Sequence, residues 1–171
     1  MILSLPTKSW QFMVLLACLV SSFYAAGQSG SYDIIWTDAE GVSYSGNTIT
    51  KTAADAWGNA GAASLYYLKE NTDGWIEYTV EVINQRKAFG FANQNSSHYH
   101  GSINYAFSFG TDSKVYLWLS GTQLTTAPIA VGDVLRIERV GSTIYYKKNG
   151  TTLHTISSGI TGVLIPDIAL Y

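Results

Sequence analysis

Cysteine is almost missing from this 171-residue sequence: Cys18 is the single instance. A disulfide framework is thereby excluded, and so is a site built on paired thiolates. Proline is scarce, three in the chain, and charged residues make up 13% with a formal net charge of −2. That balance leaves no basic footprint, so neither nucleic acid nor an anionic membrane surface is an expected partner. No run of like charge, low-complexity tract or internal repeat is present, which argues against tails and solenoids. What the chain does have is a 47% hydrophobic composition with twelve Tyr, six Phe and five Trp. That length and content suit one strand-rich domain with a substantial core.

The first 27 residues stand apart. Lys8 is the only charge before Asp33, and a mostly apolar run from Phe12 to Tyr24 ends in Ala25-Ala26-Gly27. This pattern predicts a secretory signal peptide over 1–27, with 28–171 as the mature domain, secreted or held at the cell surface. The apolar run is short for a bilayer, so no membrane span is expected after cleavage. Leu15-Leu16-Ala17-Cys18 also has the form of a bacterial lipobox, which would make Cys18 a lipidated N-terminus. The residues after it, however, stay apolar where a polar tether is needed.

Gly132 to Ile156 carries the clearest fold signal. Gly141-Ser142 and Asn149-Gly150 are two-residue hairpin pairs, because these residues tolerate the positive φ of primed turns. Three antiparallel strands follow, with Ile137 opposite Tyr146 and Tyr146 opposite Leu153, and with Glu138, Tyr145 and His154 in the adjoining row. Period-two alternation puts Leu135 and Ile144 with the first row on a core face, and Arg136, Lys147 and Thr152 on the other. Strands are also predicted at Asp33 to Thr37, and at Val42 to Ser45 and Thr48 to Thr52 around Gly46-Asn47. Ile76, Tyr78, Val80 and Val82 alternate with Glu77, Thr79 and Glu81, the mark of a half-buried strand. Phe89 and Phe91, then Tyr105, Phe107 and Phe109, then Val115, Leu117 and Leu119 repeat it. Ala53 to Ala63 reads as a small-residue loop packed on the domain, with Trp57 as its anchor.

GDVLRIERVGSTIYYKKNG (132–150), together with NTITKTAADAWGNAGAAS (47–64) and SINYAFSF (102–109), resembles the SPRY core and the wider concanavalin A-like lectin sandwich. The similarity is nearest to modules of secreted and surface bacterial proteins and covers most of the chain after residue 33. It implies an all-β fold, a two-sheet antiparallel β-sandwich of the concanavalin A-like jelly-roll type, that binds through its loops and is not an enzyme. Such sandwiches commonly pair their first and last strands. Ile165 to Tyr171 reads as the start of the last one, so a module truncated at its C-terminus, with further domains of the same polypeptide, is one reading of the chain.

Chemistry concentrates in two places. Asn93, Asn95, His98, Tyr99 and His100 bring amide hydrogen bonding and an aromatic face together, the combination an amphipathic sugar needs. Tyr116 and Trp118 form an outward aromatic pair that a sugar ring can stack on or another surface can cover. His98 and His100, at i and i+2, would project to one side of an extended segment, yet no carboxylate or thiol is nearby in sequence, so neither a metal nor any other cofactor is expected. Glu77 and Glu81 lack the central acid of a glucanase triad, Thr79 standing in its place, which ranks glycoside hydrolysis last. The expected function is a non-catalytic extracellular recognition module for carbohydrate. The alternative is a protein-interaction or adhesion module of a larger surface protein, its partner a cell-surface protein.

Overall fold

The computed structural model describes residues 24–26, 31–157 and 159–171. The predicted signal peptide lies outside these, apart from Tyr24–Ala26 (β1), which pairs with Ser31–Asp33 (β2). The remaining strands are β3 (Trp36–Glu40), β4 (Val42–Ser45), β5 (Thr48–Lys51), β6 (Gly61–Ser64), β7 (Gly74–Thr79), β8 (Lys87–Ala92), β9 (Tyr105–Phe109), β10 (Lys114–Leu119), β11 (Thr122–Pro128), β12 (Val134–Val140), β13 (Thr143–Lys148), β14 (Thr151–Ile156) and β15 (Ile165–Leu170). They form a seven-stranded sheet in the order β11-β10-β9-β8-β15-β6-β3, a four-stranded sheet in the order β14-β13-β12-β7, and a separate β4-β5 hairpin. The chain is thus the all-β, two-sheet antiparallel sandwich that the sequence implies. Among the described residues no helix is long and apolar enough to cross a membrane.

Alternation builds the core. The inward residues Phe89, Phe91, Phe107 and Phe109 of the large sheet meet Ile76, Tyr78, Leu135, Ile137, Ile144 and Tyr146 of the small one. Rings interlock edge to face across the gap, Phe107 on Tyr146 at 5.3 Å and Tyr78 on Phe109 at 5.6 Å between centroids. Such geometry adds specificity to burial that is already favourable.

Both hairpin turns of the small sheet are present. Gly141 has φ +57, Asn149 φ +49 and Gly150 φ +79. The second turn is tied down from outside. Asn149 Oδ1 accepts from the Val134 N–H at 2.7 Å, and its Nδ2 donates to Asp133 Oδ1 at 2.7 Å. That link gives a physical reason for the spacing between Gly132-Asp133-Val134 and Asn149-Gly150. Gly150→Val should lower the unfolding free energy by more than about 1 kcal/mol, because a β-branched side chain is forced to positive φ. A thermal melt coincident with the parent's would contradict it.

Four expectations need correction. A bulge between Tyr146 and Lys147 pairs Tyr146 with His154 and Tyr145 with Thr155, so Leu153 is the extra residue and the predicted rows end at β13. The strand expected over Asp33–Thr37 divides into β2 and β3, with Ile34 and Trp36 buried and Ile35 exposed between them. Gly61–Ser64 belongs to no loop: it is a fully buried strand between β3 and β15, where a backbone with minimal side chains fits. The last strand, β15, does not pair with the first strand of its sheet, since β6 separates it from β3. In addition, β11 went unpredicted because this edge strand is mostly exposed and Leu124 is its only large aliphatic residue.

One inward position holds a cation. Arg139 shares the core face with Leu135 and Ile137 and is fully buried. Its guanidinium donates to the carbonyls of Thr72 (2.6 Å), Gly162 (2.9 Å) and Lys69 and to the Thr72 hydroxyl (3.2 Å), closing one end of the sandwich.

Candidate functional site

The outer face of the large sheet is uneven, and its register shows why. One row runs Trp118, Ala106, Gly90, Asp167, Ala63 across neighbouring strands; the next runs Tyr116, Ser108, Ala88, Ala169, Gly61. Large rings stand on β10, and from β9 to β6 the face is almost bare. Two loops fill the bare part. Residues 53–60 bring Trp57, and 93–104 bring Ile103, which is buried with Ala88, Ala106 and Ala169 while Trp57 and Trp118 pack alongside. The step between these loops and the β10 rings leaves a cleft of about 400 Å³, lined by Trp57, Arg86, His100, Asp112, Tyr116 and Trp118, with Ser108 and Gln123.

The walls are a connected set of rings. Trp57 lies 4.3 Å from His100 and 5.6 Å from Tyr171, and His100 lies 4.4 Å from Tyr99 and 6.1 Å from Trp118. His100 Nδ1 and Trp118 Nε1 are both buried without a hydrogen-bond partner among the described residues. Burial lowers the His100 pKa, which favours the neutral imidazole. Asp112 accepts from the Tyr116 hydroxyl at 2.9 Å and lies 3.2 Å from Lys114. The Tyr116 hydrogen bond, followed by Lys114, holds that carboxyl below its ordinary value.

The residues singled out in the sequence divide into three groups. His100, Tyr116 and Trp118 line the cleft, and Tyr99, half-exposed against His100, stands at its rim. Asn95 and His98 instead fasten the loop to β3. Asn95 Nδ2 donates to Asp38 Oδ2 at 2.5 Å, and His98 Nε2 donates to the Asp38 carbonyl at 2.8 Å, with Nδ1 3.4 Å from Glu40. Asn93 is exposed and is held through its backbone N–H, which donates to Asn104 Oδ1 at 2.8 Å. The two histidines therefore do not act as a pair: one grips β3 while the other packs among the cleft rings. Among the described residues no cluster of three or more His, Cys, Asp or Glu is placed to hold a metal.

Sequence reasoning gave Trp57 an anchoring role, and the structure adds a wall of the cleft to it. Arg86 and Asp112 went unnoticed because each sits just outside a strand, where alternation is silent. Glu77 is engaged on the other side of the sandwich, where Arg136 approaches to 2.5 Å and also stacks over Trp75 at 4.6 Å.

No family model matches the chain, and no curated protein matches it. Solved structures do resemble it in shape. The TRIM65 PSpry domain aligns with a TM-score of 0.54 at 10% identity, over 82% of this chain and 88% of that one. Stonustoxin aligns with a TM-score of 0.54 at 12% identity, over 81% of this chain and 26% of the toxin chain. The carbohydrate-binding module CBM66 from Bacillus subtilis aligns more loosely, with a TM-score of 0.45 at 8% identity over 89% of this chain and 88% of the module. The fold is SPRY-like and concanavalin A-like, and at these identities the likeness is one of fold alone.

Proposed function

We propose that the protein is a non-catalytic recognition module, exported by way of residues 1–27, that binds carbohydrate in the cleft on the outer face of its large sheet. The observation that carries this reading is the cleft wall itself. Trp57, Tyr116 and Trp118 offer apolar ring surface, while Arg86, Ser108, Asp112 and Gln123 set polar groups beside them along the same cleft. A saccharide is amphipathic in the same way: its C–H faces stack on rings, and its hydroxyls both donate and accept.

A second reading, a protein-interaction or adhesion module, is favoured by a different surface. Ile35, Leu65, Tyr66 and Tyr67 are each about half exposed, and the Leu65 N–H bonds the Ile35 carbonyl, so these large apolar groups lie together at the β3–β6 edge. The test is a glycan array with the purified protein, run beside a pull-down from the surface of the producing cell. Binding to glycans that falls at least about tenfold in Trp118→Ala, measured at a temperature where circular dichroism shows the variant folded, is the expected result. No glycan signal, together with a retained protein partner that Tyr66→Ser and Tyr67→Ser release, would replace carbohydrate with the adhesion reading. Hydrolysis of a polysaccharide by the purified protein would overturn both.

A further inference from the structure

The charge at the cleft is lopsided. Asp112 is bonded by Tyr116 and faced by Lys114, so its negative charge is already matched. Arg86, just before β8, has no carboxylate partner among the described residues. Its guanidinium instead lies 4.8 Å from the centroid of the Tyr171 ring, and its carbonyl accepts from the Tyr171 N–H at 3.1 Å. Tyr171 in turn packs against Trp57, so the arginine is carried on the same chain of rings that walls the cleft. A guanidinium placed on a ring face keeps its planar fork of N–H donors for a second partner, and that fork matches a carboxylate or a sulfate.

We infer that the saccharide bound in the cleft is acidic, with a carboxylate or sulfate group seated on Arg86 and its ring faces against the neighbouring aromatics. This deepens the carbohydrate reading and rests on it. The net charge of the whole chain is negative, so long-range attraction is not the source of this selectivity. It comes from a short-range, charge-assisted contact that persists at salt concentrations which screen distant charges.

The experiment is a glycan array carrying neutral, uronate-containing and sulfated saccharides, followed by titration calorimetry of the hits at 0.15 M salt. Hits should concentrate among the acidic saccharides, and the uronate and sulfate arms decide which anion is used. Arg86→Gln should weaken an acidic hit by about tenfold or more, with Arg86→Lys recovering part of the loss. Binding of neutral saccharides equal to that of acidic ones, unchanged by Arg86→Gln, would overturn the inference and leave the carbohydrate reading in place. A blank array would remove both. Arg86 is exposed, so loss of fold is not expected to confuse the result.

Discussion

Arg139→Ala should lower the unfolding free energy by roughly 3 kcal/mol or more, seen as a shift in the urea midpoint with an unchanged slope. The fully buried guanidinium satisfies carbonyls of Lys69, Thr72 and Gly162, all belonging to loops at one end of the sandwich. Truncation leaves those acceptors facing a void, so an unmade-bond cost adds to a cavity cost. Burying the guanidinium carries its own desolvation penalty, which lowers its pKa and offsets part of what its bonds supply. Asp73 and Glu70 lie near enough to favour the charged form, which works the other way. Arg139→Met separates these effects, since it fills most of the volume but donates nothing. If Met matches the wild type, the hydrogen bonds only balance desolvation. If Met falls nearly as far as Ala, the bonds to the loops are what hold this end closed. A loss below about 1 kcal/mol for Ala would show that neighbouring turns or water replace the guanidinium.

The second large effect depends on pH. Asp167 lies on β15 between Gly90 and Ala63, is buried, and has one carboxyl oxygen without a partner. Burial pushes its pKa up to about 8; the Ile168 backbone N–H opposes the rise, and the Asp38 charge adds to it. The folded protein therefore holds a proton that the unfolded chain releases near pH 4. The stability this confers is full below about pH 4 and is lost as pH rises to about 8, at no more than about 1.4 kcal/mol per pH unit. Asp167→Asn stays neutral throughout. Its stability advantage over the wild type should widen steadily between pH 4 and pH 8 and then level off, measured by urea unfolding at several pH values. Comparing the two proteins cancels other titrations, including Asp133, whose lowered pKa acts below pH 4. A constant difference across that window would mean that Asp167 is ionised in the folded protein.

How much of this was legible in the sequence depended on how local the cause is. The Gly141-Ser142 and Asn149-Gly150 turns are set by residues that accept positive φ, so the small sheet could be read directly. Its error, the bulge at Tyr146, is a pairing choice between strands and leaves no mark on residue type. Tyr116 and Trp118 were assigned to the outer face by alternation with Val115 and Leu117, and that is their position in the cleft. Asn95 and His98 show the opposite case. Composition shows that a loop is rich in hydrogen-bonding groups but not where those bonds go, and here they go to β3. Gly61–Ser64 hid as a strand because four small residues show no periodicity. Arg139 left a clear trace, a charge in step with Leu135 and Ile137, whose meaning depended on carbonyls far away in sequence.

The position of β15 has a bearing on how the molecule is made. This strand joins β6 and β3 on one side to β8, β9, β10 and β11 on the other, and no other pairing in the large sheet connects the two groups. As the ribosome extends the chain, each group can form early but presents an open flank, β6 in one and β8 in the other. Both flanks wait for the last of the described strands to emerge. Completion is therefore a late event between segments distant in sequence, the kind of closure that makes folding slow and exposes strand edges to other chains meanwhile. A nascent chain kept extended until β15 has emerged would escape that hazard.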